Sequence, residues 1–431
     1  MKRSYEAARE ILYKLQRFGI NLGLDTISSL LSELGNPQRR FPVLHVAGTN
    51  GKGSVAAITA SILQAAGIRV GLYTSPHLLD FRERIRIQGM CIPEGRVVDL
   101  FDGIQGLPSF AAPPTFFEVA TAMAFQYFAE ERMDIAVLEV GLGGRFDATN
   151  VCRSIGTVIT NISFDHEKYL GSSLEAIAFE KAGILKQGVP LVVGPVDQSV
   201  DGILQEQARR KQVRTFKFGR EFRSVSRPSG EFDFVGMHGN YRRLRCALEG
   251  EHQTVNAACA LAVLEAGVMP RTPIPEWAIR RGLEQVSWPG RLERLQRHPL
   301  ILCDGAHNPA AAECLKIYLQ RHVHGERRLI LVVGMMQDKN LPVFLNTLVP
   351  LADAVILTQI NSPRAATVRA LREALPVLDR PLYERDEPGA AIDLATCLAS
   401  ENDLICITGS LFLVGHVKSL MTGNAYEPVL G

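Results

Sequence analysis

The chain has no surplus of either charge. Of its 431 residues, 47 are Lys or Arg and 45 are Asp or Glu, a formal net charge of +2. So even a balance argues against a general binder of nucleic acid or of anionic membranes, whose affinity comes from a basic excess. No run of ~18 apolar residues occurs, so nothing is expected to span a bilayer. No apolar stretch follows Met1–Glu6, which speaks against a signal peptide. The eight cysteines, at 91, 152, 246, 259, 303, 314, 397 and 406, form no C-x-x-C. That excludes the common zinc-finger spacings and points to free thiols in a reducing, cytoplasmic setting. Internal repeats and low-complexity tracts are also missing. What remains, 46% hydrophobic and 21% charged residues, is the balance of a folded globular protein long enough for two domains.

Short apolar runs alternate with helical patterns from the start. Strands are expected at 41–46, 68–74, 135–140, 156–162 and 190–193, and helices at 54–66, closed by Gly67, and at 174–185. Continuous apolar runs of this length fill parallel sheets that are covered on both faces. Between about 213 and 252 the pieces FKFGREF, GEFDFVGMHG and YRRLRCALEG suggest a small antiparallel patch, and helices resume at 255–266 and 275–286. Trp288-Pro289-Gly290 breaks the periodicity, and alternation restarts with strands at 300–303, 329–333, 354–358 and 404–408. The expected fold is α/β: a mostly parallel-sheet, phosphate-loop domain over 1–288 and a smaller Rossmann-like α/β domain over 289–431.

The 41–46 strand runs into Ala47-Gly48-Thr49-Asn50-Gly51-Lys52-Gly53-Ser54 and then a helix. A glycine-rich turn between strand and helix aims main-chain N–H groups and a helix N-terminus at an anion. Lys52 adds a charge for terminal phosphates and Ser54 a hydroxyl for a metal. The match to G-x-x-x-x-G-K-[ST] is imperfect: Val46 takes the first glycine position, and Gly53 displaces the hydroxyl by one.

The form G-T-N-G-K-G-S resembles the ATP-dependent amide ligases of the Mur ligase superfamily, and within it the folylpolyglutamate synthase/dihydrofolate synthase branch. Seven further segments, in the order of that branch, carry the resemblance: Ser75-Pro76-His77-Leu78 with Phe81–Ile85, Leu138–Asn150, Asp165-His166, Glu180–Ile184, His252–Ala257, Trp288–Arg291 and Asp304–Pro309. It covers nearly the whole chain. It implies phosphorylation of a carboxylate by ATP, attack of an amine on the acyl phosphate, and release of phosphate. Such chemistry asks for positioning and charge neutralisation more than for covalent help.

The resemblance implies a role for each matching residue. Asn50, Gly51, Lys52, Gly53 and Ser54 would cradle ATP, with Asn256 at adenine, Arg291 at a phosphate and Asp304 reaching the nucleotide from the second domain. Ser54, Ser75 and Glu139 would hold a first Mg²⁺, and His166 a second. Lys181 would be carbamylated, turning a cation into an anion that supports the metal site. With Lys52, Glu139, His166 and Lys181, His307 completes the catalytic set. His307 and Ser410 would lie near the incoming L-glutamate, and Ile20, Asn21, Leu22, Thr115, Phe116, Arg145, Phe146 and Asp147 would form the pocket for a folate or dihydropteroate. Phe116 or Phe146 could stack a pterin and Arg145 could hold a carboxylate, although core packing explains either ring equally well. Expected partners are these small molecules and no nucleic acid or membrane, for a monomer. Two other readings stay open: a murein-type ligase on a UDP-linked peptide, against which Gly53 and the S-P-H-L segment weigh, and an ATP-binding regulatory module that ligates nothing.

Overall fold

A computed structural model describes residues 3–19, 21–107, 112–323, 325 and 327–427. Its larger sheet has eight strands: β1 (Val43–Ala47), β2 (Val70–Tyr73), β3 (Ile85–Ile87), β4 (Met90–Cys91), β5 (Ile135–Glu139), β6 (Ser154–Ile159), β7 (Leu191–Val193) and β8 (Thr215–Lys217). Their order is β4-β3-β2-β5-β1-β6-β7-β8. From β2 to β8 all pairs are parallel, and only the β2–β3–β4 edge is antiparallel.

Successive strand residues face opposite sides, and here both sides are buried. Leu44 and Val46 of β1, with Ile135 and Val137 of β5, join the core under the helices Lys52–Ala65, Glu251–Val263 and Glu276–Gln285. Val43, Ala136 and Leu138 face the opposite core, with helices Tyr5–Lys14, Asp25–Glu33, Glu94–Gln105 and Phe116–Glu130. This two-sided burial is why the strands read as unbroken apolar runs.

The antiparallel patch is present as β9 (Arg223–Ser226), β10 (Phe232–Val235) and β11 (Asn240–Leu244), in the order β11-β10-β9. One expectation is corrected here. FKFGREF lies outside the patch: Thr215–Lys217 is β8, parallel to β7. Its alternation looked antiparallel because an edge strand is covered on one face only, with Phe216 buried between half-buried neighbours. The 174–185 helix ends earlier, at Ala182. The 255–266 helix starts at Glu251 and passes into a π turn at Leu264–Val268.

A separate C-terminal domain holds a six-stranded sheet: β12 (Glu293–Arg297), β13 (Leu300–Cys303), β14 (Leu329–Val333), β15 (Ala354–Thr358), β16 (Leu382–Arg385) and β17 (Leu404–Thr408). The order is β12-β13-β17-β14-β15-β16, parallel except for β12. The two domains touch in two further ways. Leu78 inserts into the C-terminal core beside Leu413 and Val414. After the helix Leu411–Thr422 the tail returns to the first domain, where buried Glu427 accepts from Arg9 (2.5 Å), the Tyr13 hydroxyl (3.1 Å) and the Phe81 amide (2.9 Å). No helix among the described residues is long and apolar enough to cross a membrane.

Candidate active site

Open α/β sheets bind ligands beyond the carboxyl ends of their strands, and both sheets turn those ends toward one cleft. Past β1, the loop is stapled to the segment after β6. The Thr49 amide donates to Asn161 O (3.0 Å), the Asn50 amide to Asn161 Oδ1 (2.9 Å), and Thr160 Oγ1 to Asn50 O (2.6 Å). Gly51, at φ +82°, caps the helix Lys52–Ala65, so that helix begins two residues before the predicted start. A side chain at Gly51 would be strained, and its Cβ would fall 2.5 Å from Asn256 Oδ1. Gly53 has a different reason: a Cβ there would meet the Trp288 indole at 2.8 Å. The departure from G-K-[ST] thus makes room for the tryptophan of Trp288-Pro289-Gly290-Arg291. The first-turn amides of the helix have no intrahelical partner and face the cleft.

Lys52 folds back, donating Nζ to Thr49 O at 2.9 Å. Burial lowers its pKa, while Glu139 and Asp165 push the other way. Glu139 ends β5 opposite Val46 and is buried. Burial raises its pKa against the pull of Lys52 and of the Ser75 amide, which donates at 3.1 Å. No other hydrogen bond to this carboxylate is made by the described residues, so its oxygens retain capacity toward the cleft. Ser54 is 2% exposed on the same wall. No group of three or more His, Cys, Asp or Glu is arranged for a metal among the described residues. Mg²⁺ does not need one, since it keeps waters and takes one or two protein carboxylates plus phosphate oxygens. Ser54, Ser75 and Glu139, all hard oxygen donors around the same opening, fit that demand.

Past β6, buried Asp165 is a hub. It receives Lys339 Nζ at 2.6 Å and Asn308 Nδ2 at 3.1 Å, and His307 Nε2 lies 3.4 Å away. Burial alone would raise its pKa, but His307, His166 and Lys339 hold it well below the usual carboxylate range. His166 is the next residue, at φ +53°, with its ring 42% exposed. Desolvation of its inner edge outweighs Asp165 and lowers its pKa to about 4, which leaves it neutral at pH 7. Lys181 is 4% exposed and donates to Gly48 O at 2.9 Å, so it is not a solvated surface lysine. Burial, then the charge of Lys52, lowers its pKa to about 7.

The C-terminal domain supplies the facing wall. Asp304 follows β13, and its carboxylate accepts from the amides of Leu292 and Ala306, both at 2.9 Å. Arg291 is half-buried, with Nη1 on Gly290 O at 3.1 Å. His307 donates Nδ1–H to Gly305 O at 2.8 Å. Asn308 and Asn50 pair their amides reciprocally across the cleft, at 2.9 and 3.1 Å.

Asn50, Gly51, Lys52, Gly53, Ser54, Ser75, Glu139, His166, Asn256, Arg291, Asp304 and His307 therefore line one cleft. The acceptor-pocket candidates do not line it. Thr115 caps the helix Phe116–Glu130 in a box with Glu118, and Phe116 is 7% exposed against Tyr13 and Phe81. Asp147 is buried, accepting from Leu142 N and Thr149, and its burial raises its pKa. Arg145 is exposed, pairs with Glu180 at 3.5 Å and lies over the half-buried Phe146 ring. Asn21 and Leu22 are exposed, and Ile20 lies outside the described residues. Ser410 caps the helix Leu411–Thr422 through Phe412 N.

Sequence reasoning gave no role to Asp165, Asn308 or Lys339. Asn308 before Pro309 is a helix-cap signature, and Lys339 follows an apolar strand at its carboxyl end. Those signals were present, but only the fold brings 165, 308 and 339 together.

A phosphate-type loop on one α/β domain, faced across a cleft by the strand ends of a second, defines a two-domain nucleotide-dependent ligase. Models of the Mur ligase middle domain and of the Mur ligase glutamate ligase domain match residues 46–264 and 290–411. The chain belongs to the Mur ligase family, and its high-coverage relatives lie in the dihydrofolate synthase/folylpolyglutamate synthase branch. The Bacillus subtilis dihydrofolate synthase/folylpolyglutamate synthase is 35% identical over 431 residues, 96% of this chain and 98% of that protein. E. coli FolC in complex with DHPP and ADP superposes with a TM-score of 0.88 at 33% identity, over 96% of this chain and 98% of that one. A bifunctional folylpolyglutamate synthase/dihydrofolate synthase with Mn, AMPPNP and L-glutamate bound gives 0.86 at 30% identity, over 98% and 100%.

Proposed function

We propose that the chain is an ATP- and Mg²⁺-dependent, ADP-forming carboxylate–amine ligase that adds L-glutamate to folates and also joins 7,8-dihydropteroate to L-glutamate. The single observation that carries this reading is the convergence of the Asn50–Ser54 cradle, Ser75 and Glu139 with Arg291, Asp304 and His307 in one cleft between the two domains. ATP supplies the activation that makes a carboxylate electrophilic. On this reading the loop amides and Lys52 hold its phosphates, Arg291 adds a planar fork to them, and Asn256 and Asp304 fix the nucleoside. Ser54, Ser75 and Glu139 would hold one Mg²⁺ and His166 a second. His307, held by the Gly305 carbonyl, would face the incoming glutamate with Ser410 nearby.

Lys181 is read as a carbamylation site. A lysine with a pKa near 7 has the neutral amine that must attack CO₂, and the product anion would offset Lys52. Native mass spectrometry in bicarbonate should find one added CO₂, lost in Lys181→Arg. Asn21, Leu22, Thr115, Phe116, Arg145, Phe146 and Asp147 are read as the acceptor side, with Phe146 the ring whose face is less enclosed. The domain units are read as 1–288 and 289–431, which the two matched family regions support. The setting is read as reducing and cytoplasmic, which eight free cysteines support, and the enzyme as a monomer without nucleic-acid or membrane partners, in keeping with its even charge balance. The deciding experiment is phosphate release from ATP with glutamate and tetrahydrofolate or dihydropteroate. Release with a UDP-linked peptide instead, or with no acceptor, would overturn the reading.

A further inference from the structure

One buried cation has no part in the chemistry described so far. Arg84 ends the 3₁₀ turn Phe81–Arg84 and is 3% exposed. Its carbonyl accepts from the Thr74 amide at 3.0 Å, which sets it beside the residue preceding Ser75. Its Nε donates to His77 Nδ1 at 2.9 Å, and its guanidinium carbon lies 5.1 Å from the Phe116 ring centre. Burial and the charge of Arg84 hold His77 well below its usual pKa, so Nδ1 stays an acceptor.

Among the described residues no carboxylate pairs directly with the guanidinium. Glu83 is taken by the amides of Leu78, Leu79 and Asp80, and Glu427 by Arg9, Tyr13 and the Phe81 amide; Glu139, like Glu83, reaches Arg84 through its charge but makes no hydrogen bond to it. Among the described residues nothing accepts from its ω-nitrogens, and neither is sealed from solvent. A buried, permanently charged group with no carboxylate in direct contact gains stability when an anion docks on it. With Nε anchored and the plane resting on Phe116, the free edge is the two-nitrogen fork that matches a carboxylate. It stands beside the acceptor-side residue Phe116 and, through the Thr74 amide, next to the metal-side residue Ser75.

The two proposed acceptors differ in what such a fork could hold. A folate that already carries glutamate ends in two carboxylates: one is activated, and the other stays an anion throughout. Dihydropteroate ends in a single carboxylate, the reacting one. We infer that Arg84 is a specificity-determining residue that holds the unreacting carboxylate of a glutamylated acceptor and has no such contact with dihydropteroate. The inference rests on the ligase function proposed above.

The test measures kcat and KM for tetrahydrofolate and for 7,8-dihydropteroate, at saturating Mg-ATP and L-glutamate, in wild-type, Arg84→Gln and Arg84→Lys enzyme. Removing one partner of a buried charge pair predicts a KM for tetrahydrofolate at least ~30-fold higher in Arg84→Gln, partly restored in Arg84→Lys. The dihydropteroate constants should move by no more than about twofold, the scale of a side chain that touches nothing of that substrate. A second arm needs no variant: on wild-type enzyme, a tetrahydrofolate whose unreacting carboxylate is a primary amide should lose the same factor. Equal losses with both acceptors, an unchanged tetrahydrofolate KM, or full binding of the amide would overturn the inference. A wild-type enzyme that turns over neither acceptor would instead overturn the ligase reading, and this inference with it.

Discussion

The two strand edges that meet at the cleft contribute in different currencies. The β1 edge offers main chain: a glycine turn, the free amides of a helix start, and a lysine folded back on its own loop. The C-terminal edge offers side chains, with Asp304, His307 and Asn308 following β13 and Lys339 following β14. A main-chain cradle is rigid and tolerates little substitution. A side-chain wall engages only when the domains stand at the right distance. The lesson is that the first edge sets what can bind, and the second sets when the site is complete.

The largest break in that comparison should come from the cradle. Lys52→Ala removes the one side-chain charge the loop supplies, and kcat/KM should fall ~10³-fold, as when a preorganised donor to a developing charge is lost. The thermal midpoint should barely change, because the side chain's one hydrogen bond is to its own loop. A variant with near-normal turnover would refute the loop's role.

Asp165→Asn tests the joint between the edges. It leaves Lys339 with only the longer, more exposed ion pair to Asp338 at 3.7 Å, at a cost of ~2 kcal/mol. Denaturant unfolding should register that loss, and ATP affinity should survive better than turnover. Loss of ATP binding alone, with stability intact, would place Asp165 on the nucleotide rather than at the joint.

Lys181 predicts a pH effect with a definite sign. Its pKa falls from 10.5 in the unfolded chain to about 7 in the fold. Between those values the unfolded chain binds more protons, so this group makes stability rise with pH from about 7 toward 10. In bicarbonate-free buffer Lys181→Met should flatten that slope, and an unchanged slope would show that the amine is solvated after all.

The smallest effect is expected at Asn308→Ala. It loses a helix cap and the paired amides with Asn50, for ~1–2 kcal/mol. Calorimetry should detect it, with KM for ATP raised less than by Lys52→Ala.

Much of this molecule is legible in one dimension, for a specific reason. Parallel strands buried on both faces must be apolar along their length, so β1, β5, β6, β14 and β17 stand out, and the residues just past their ends become candidates. Twelve of the residues that the family resemblance named share the cleft, and only some of them, such as Glu139 and Asp304, stand at the carboxyl end of such a strand. Edge strands of two to five residues, such as β4, β8, β12 and β16, lack that signature because solvent covers part of them. The Asp165 hub was invisible because its partners lie 142 to 174 positions away in sequence. Arg84 lies inside the matching segment Phe81–Ile85 without a role of its own, since nothing local in sequence distinguishes a surface arginine from a buried one that lacks a direct carboxylate partner.

The return of the tail to the first domain has a mechanical corollary. The halves are joined by the chain itself around Trp288-Pro289-Gly290, and a second time, non-covalently, where Glu427 clasps Arg9, Tyr13 and the Phe81 amide. Once the contacts that bridge the cleft itself, Asp165 with Lys339 and Asn50 with Asn308, are released, a body held at two such points keeps one easy rotation, about the line through both. Opening and shutting of the cleft would then be confined to a swing about that axis, like a door on two hinges, and severing the lower hinge should free the halves to twist.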